Sequence, residues 1–154
     1  MTRIDPQRIA ASLLGLFALL SLCLPHSAWA GLAGRFQFVA GDVRVAGADG
    51  KERPARKGEG VNEKETVVSG KDGSAQLRMI DEGIVAVRPD TTLRIDEYQF
   101  AGKADGSERG FFSLLKGGFR SITGIIGRAN KDSYGIRTPA ATIACLITVH
   151  SVRV

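Results

Sequence analysis

The chain has 154 residues, of which 44% are hydrophobic and 6% aromatic, and a net charge of +5. That length accommodates one domain with a core of its own and no need of a disulfide scaffold. Basic and acidic residues are interspersed, so no block of one sign marks a nucleic-acid partner, and the aromatic residues are too scattered for a base-stacking platform.

Arg3 and Arg8 precede a nearly unbroken apolar run, IAASLLGLFALLSLCL, which Pro25 ends. Ala28 and Ala30 then place small residues at the two positions a signal peptidase reads. This three-part pattern predicts a secretory signal over 1–30, cut between Ala30 and Gly31, and hence a periplasmic or extracellular protein. The run falls short of the roughly 20 residues that a spanning helix needs, which disfavours an uncleaved anchor. Arg3 and Arg8 are not adjacent, and Leu22 rather than a small residue precedes Cys23, so neither a twin-arginine route nor lipidation is indicated. No later stretch approaches bilayer length, and no stable membrane insertion is expected after cleavage. Without Arg3, Arg8 and Asp5 the balance is 19 basic to 15 acidic residues, and Cys145 is the one thiol left once Cys23 departs.

Segments of strand character then recur between turn signals. Residues 36–39 come first, then Val43-Arg44-Val45 after Gly41-Asp42, with a hairpin-type turn over 47–50. The densest basic patch, 53–57, is broken by Pro54 and Ala55 and reads as a solvated loop. Thr66-Val67-Val68-Ser69 is rich in β-branched residues, and Gly70-Lys71-Asp72-Gly73 turns the chain. The clearest alternation follows: Ala75, Leu77 and Met79 apolar, Gln76 and Arg78 polar. Asp81-Glu82-Gly83 is a turn, 84–87 a short apolar strand stopped at Arg88-Pro89, and 92–95 an alternating strand that leads into Tyr98 and Phe100. Residues 101–110 form an exposed polar loop, and 111–116 are a strand, with one helical turn as the alternative. Residues 119–126 alternate only in part, and strand character resumes over 134–143 around Thr138-Pro139. Spacings of roughly 8–12 residues predict an all-β fold of short antiparallel strands, in a sandwich or β-roll, over 31–154. The repeats of strand and turn are not copies of one another, so no solenoid is indicated.

Three of these segments, in order, resemble the FecR domain family: the Gly70-containing turn leading into Ser74-Ala75-Gln76-Leu77, the Asp81-Glu82-Gly83 turn, and Val87-Arg88-Pro89-Asp90-Thr91-Thr92-Leu93-Arg94-Ile95. Residues 115–124 and 134–143 are similar to later family segments, so the resemblance spans about 41–143. It implies an extracytoplasmic β-rich domain. The best-known members relay a signal from an outer-membrane receptor to a sigma factor, through a cytoplasmic portion and a membrane helix. This chain shows a cleavable signal instead, so it is expected to be a stand-alone exported member, and sigma-factor control is not carried over. The resemblance also implies a Gly-x-Arg-Gly-Thr stretch after Ile143, where 144–154 departs from the pattern. A frameshift or truncation near Ala144 would explain that departure, would leave Cys145 without a role, and would expose a sheet edge.

Catalytic constellations are weak. His26 leaves with the signal, and His150 lacks the companions of a triad. Asp81/Glu82 and Asp96/Glu97 are adjacent pairs, which strand geometry sends to opposite faces; Asp81 is expected to shape its turn and Glu97 to be solvated. Asp49, Asp72, Asp81 and Asp105 each sit beside turn glycines with no EF-hand spacing, so no metal site is assigned. The glycine-rich stretch 117–124 lacks the Gly-Lys-Ser/Thr ending of a phosphate loop, and its glycines are expected to allow tight bends or close packing. The expectation is a non-catalytic envelope module without a cofactor that binds a protein through edge strands and the loops at 53–57 and 101–110. A cell-wall or carbohydrate-binding module is the first alternative, and a hydrolase the second.

Overall fold

The computed structural model describes residues 31–139, 142–144 and 149–153. The expected signal, including Ala28 and Ala30, lies outside them, as does Cys145. Thirteen strands, one short α-helix and one 3-10 turn make up the described chain. Most strands match the sequence expectation: β1 (Leu32–Ala40), β2 (Val43–Ala46), β5 (Thr66–Ser69), β6 (Ser74–Met79), β7 (Ile84–Val87), β8 (Thr92–Gln99) and β9 (Arg109–Lys116). The three-residue strands β3 (Glu52–Pro54) and β4 (Gly60–Asn62) are additional. The partly alternating stretch divides into β10 (Gly118–Ile122) and α1 (Ile125–Ala129). After the 3-10 turn Lys131–Ser133 come β11 (Tyr134–Arg137), β12 (Thr142–Ala144) and β13 (Val149–Arg153).

The strands form two sheets, one ordered β13-β10-β7-β6-β1-β4 and the other β12-β11-β9-β8-β5-β2-β3. We call them sheets A and B. The fold is all-β, as the strand spacing predicts, with one departure from antiparallel pairing. β11 runs parallel to β9, Ile136 opposite Phe112. The reason is connectivity: the chain leaves β9 for β10 in sheet A and returns through α1 and the 3-10 turn, a crossover of the kind parallel neighbours require.

The alternation read in the sequence is an alternation of burial. Ala75, Leu77 and Met79 are buried and Arg78 is exposed, and β7 and β8 repeat the pattern. The inward residues of both sheets share one core, including Phe36, Val45, Leu77, Leu93, Phe112 and Phe119. Phe112 sits at its aromatic centre, its ring 5.4 Å from Tyr98, 5.9 Å from Tyr134 and 6.3 Å from Phe119. These tilted and edge-on contacts suit the charge distribution of aromatic rings.

Two buried polar clusters bind the sheets together. In the first, Asp81 is wholly buried between β6 and β7. Its Oδ1 accepts hydrogen bonds from the Tyr98 hydroxyl (2.6 Å) and the Gly83 N–H (3.0 Å), and its Oδ2 accepts from the Ile126 N–H (3.2 Å). Its backbone carbonyl accepts from the Ile125 N–H (2.9 Å). One side chain thus closes its own turn, reaches β8 in the other sheet, and caps α1, whose N-cap Gly124 has no side chain to do so. Gly124 is required by close approach: a Cβ there would lie 2.3 Å from Asp81 Oδ2.

The second cluster lies at the β7–β8 turn. The Ser69 hydroxyl donates to the Arg88 carbonyl (2.6 Å) and accepts from the Thr91 N–H (3.0 Å). The Thr91 hydroxyl donates to the Gly118 carbonyl (2.9 Å) and accepts from the Gly118 N–H (3.0 Å). Gly117, at φ +83°, makes the tight bend that brings β10 into reach. A third link, 2.6 Å between the hydroxyls of Ser121 in β10 and Tyr134 in β11, completes the set.

Asp81→Ala should lower unfolding stability by at least about 3 kcal/mol, because three buried donors lose their acceptor at about 1–3 kcal/mol each. Tyr98→Phe, which removes one donor and keeps the ring, should cost about 1–3 kcal/mol. Urea midpoints at unchanged m-value check both, and equal losses in the two variants would contradict the three-way role of Asp81.

Candidate interaction surfaces

Among the described residues the acidic candidates are used architecturally. Asp81 has both carboxyl oxygens engaged, and Glu82, beside it in sequence, is exposed at a φ of +69° and pairs with Arg78 at 3.3 Å. Burial, then the negative charge of Asp81, pushes the Tyr98 hydroxyl well above its ordinary pKa, so it remains a donor. Asp96 accepts from Arg94 (2.6 Å) and from the Ser113 hydroxyl (2.5 Å), with Arg137 at 3.8 Å. Glu97 lies beyond a bulge in β8, opposite Phe111 and half-exposed. Neither pair converges on a cleft. The shallow depression beside Asp96 is lined by Gly47, Ala48, Lys64, Thr66 and Arg94, with no second carboxylate. Among the described residues no group of three His, Cys, Asp or Glu could hold a metal ion. No helix among them is long and apolar enough to cross a membrane.

The two loops expected to carry contacts differ from the sequence reading. Residues 53–57 are not a uniformly solvated loop. Arg53 belongs to β3 and turns inward, donating to Glu59 (2.7 Å), Glu65 (3.1 Å) and the Gly60 carbonyl (3.0 Å). Burial works against its charge, but the hydrogen bonds and proximity of Glu65 and Glu59 prevail and raise its pKa. Ala55 is buried and Arg53 half-buried, so Pro54, Arg56 and Lys57 are the exposed residues of this stretch. Short-range apolar patterning carries no trace of such a three-residue ion cluster, whose members are Arg53 in β3 and Glu59 and Glu65 in the segments that flank β4.

The second loop is exposed over 101–107 and ends in a buried anchor. Glu108 is 3% exposed and accepts from the backbone N–H groups of Asp105 (3.1 Å) and Gly106 (2.7 Å). The hydroxyl and N–H of Ser107 hold the Asp105 carboxyl below its usual pKa, and Lys103 adds to this. Arg109 and Gly110 are not loop residues but the start of β9. The loop is therefore internally braced.

Three of the four sheet edges are blunt: β3, β4 and β12 have three residues each, and Pro54 in β3 lacks an N–H, whereas the edge strand β13 has five. The three short edges offer little ladder to an added strand. Phe38, at 54%, is the exposed aromatic among the described residues, so no platform of aromatic rings is present there for a sugar.

Comparison with known proteins agrees with the turn-and-strand order. No curated protein matches the chain. A solved structure titled "Cell surface anchoring domain" is similar at 27% identity, covering 40% of this chain and 82% of that one, with a TM-score of 0.39. The family described as "FecR protein" matches residues 65–154, which include the Ser69–Thr91 cluster, the Asp81 turn and β13. The chain belongs to the FecR family.

Proposed function

We propose that this chain is an exported FecR-family module that binds a protein of the cell envelope and does no chemistry of its own. Support comes first from the way the family's turn residues are used. Asp81, Thr91 and Gly117 build the two buried clamps, so the family pattern specifies a scaffold rather than a reactive centre. A rigid scaffold with a braced loop is a common basis for recognition. The observation that carries the reading is the 101–107 loop, exposed along its length yet fixed at its base by Glu108 and at its tip by Asp105. Ordering a loop on binding costs free energy, and this one is ordered beforehand.

Secretion fits the same reading. The expected cut after Ala30 leaves Gly31 as the first residue of the mature chain. The Gly31 carbonyl accepts from the Glu63 N–H at 3.0 Å, and β1 starts at the next residue, so a cut after Ala30 leaves every described strand intact. Expressed with its own leader, the protein should be recovered outside the cytoplasm with Gly31 as its N-terminus, as read by intact mass; retention of 1–30 on the exported protein would count against this assignment.

Affinity capture from an envelope extract with the 31–154 chain should recover one protein in stoichiometric amount. Lys103→Glu combined with Asp105→Lys, which reverses both exposed charges at the loop tip, should reduce that recovery at least about tenfold while thermal unfolding is unchanged. Retention on purified glycan without any protein, or turnover of a substrate that is lost with Asp96→Asn, would overturn the proposal.

A further inference from the structure

Sheets A and B treat arginine differently on their outer faces. On sheet B, Arg44 pairs with Asp42 (2.7 Å) and Glu52 (3.2 Å), Arg94 pairs with Asp96 (2.6 Å), and Arg137 lies 3.8 Å from Asp96. On sheet A the outward positions bring together Arg35 from β1, Arg78 from β6, Arg88 at the end of β7, Arg120 from β10 and Arg153 from β13, all exposed. No strand position on this face is acidic among the described residues. Arg78 has the exposed Glu82, whereas Arg88, Arg120 and Arg153 have no acidic partner among the described residues.

Pairing register gives the face its order. One row runs Arg35, Arg78, Ile84, Ile122 across four strands. The next runs Phe38, Gln76, Ala86, Arg120. At the end of the sheet, Arg88, Lys116 and Arg153 line a shallow groove whose one carboxylate, Asp90, has Lys116 at 4.0 Å. Arg35 directly opposite Arg78 is a like-charge cross-strand pair, which disfavours the fold rather than helping it. Phe38 and Ile122 remain 54% and 36% exposed in the monomer. Folding accounts for neither feature.

We propose that the outer face of sheet A docks on the phosphate-bearing headgroups of an anionic lipid bilayer, peripherally and without insertion of a helix. The chemistry favours phosphate. All four cations at the strand positions, and Arg88 just past the end of β7, are arginines, whose planar fork binds phosphate oxygens in pairs. The shape favours a lipid surface over an acidic polypeptide: the central strands β6, β7 and β10 each have a hydrogen-bonded neighbour on both sides, so a peptide could add a strand only at the margins of the face, beside β13 or the outer part of β1, and not across its cations. Cations spread over one sheet face are instead complementary to the many anions spread over a bilayer surface. Phe38, Ile84 and Ile122 stand among the arginines as the apolar part that interfacial binding combines with charge. This face is separate from the 101–107 loop and leaves that loop free for a protein partner.

The test uses the exported, processed chain in flotation with vesicles of phosphatidylcholine alone and of phosphatidylcholine with phosphatidylglycerol. Binding is expected only to the anionic vesicles and should weaken as salt is raised. Arg35→Gln and Arg120→Gln should each lower the partition coefficient about fivefold, the effect of about 1 kcal/mol per basic residue near a charged surface. Phe38→Ser should lower it further, whereas Arg44→Gln and Arg94→Gln on sheet B should leave it unchanged. Thermal unfolding of every variant separates loss of binding from loss of fold. Equal losses from the two faces would show attraction by net charge alone and overturn the proposal. So would binding of soluble poly-glutamate with no binding to anionic vesicles, which would assign the face to an acidic polypeptide.

Discussion

The fold depends on the Asp81 carboxyl group. A two-sheet β-protein must keep its layers in register across an apolar interior, where packing is tight but gives little direction. Asp81 supplies the direction: it hydrogen-bonds its own turn in sheet A, the Tyr98 hydroxyl of sheet B and the first turn of α1. A buried polar group is tolerated only when its hydrogen bonds are made, and here the donors come from three separate elements. A slip between the sheets would carry the Tyr98 hydroxyl away from the carboxylate and leave it buried without its acceptor. Gly124 belongs to the same device, since nothing larger fits against the carboxylate.

The Ser69–Thr91 cluster does the same work at the opposite end of β7. Two of the segments that resemble the family, the Asp81 turn and the stretch 87–95, each contribute a residue to one of these clusters. Core strands accept many apolar residues of similar volume. A turn that must present a hydroxyl to the carbonyl and N–H of one glycine accepts very few. Function is then free to reside on the surfaces these clamps hold still, the braced loop at one site and the outer face of sheet A at another.

Much of the architecture was legible because burial follows a two-residue period. The alternation of Ala75, Leu77 and Met79 with Gln76 and Arg78 is the clearest case, and it survives intact in β6. β3 and β4 escaped because three residues are too few to show a period, and their pairing is set by neighbours distant in sequence. Arg53 read as solvated because Glu59 and Glu65 become its partners only after the chain has folded. Asp81 could be read as a turn residue but not as a link to Tyr98, seventeen positions away. The arginine face was invisible for the same reason. Arg35, Arg78, Arg88, Arg120 and Arg153 lie far apart along the chain, interleaved with acids, and only strand pairing sorts them onto one side.

The path of the chain has a consequence for how the protein is made. β1 lies in sheet A, β2 and β3 in sheet B, β4 again in A and β5 in B, and the exchange continues to the last strands. Neither layer can be finished early, because each waits for segments synthesised much later. Such topologies close large loops before they gain stabilising contacts, and they fold slowly, over milliseconds to seconds. For a chain exported as proposed above, that delay is useful: the newly made polypeptide stays loose enough to be translocated and sets into shape on the far side.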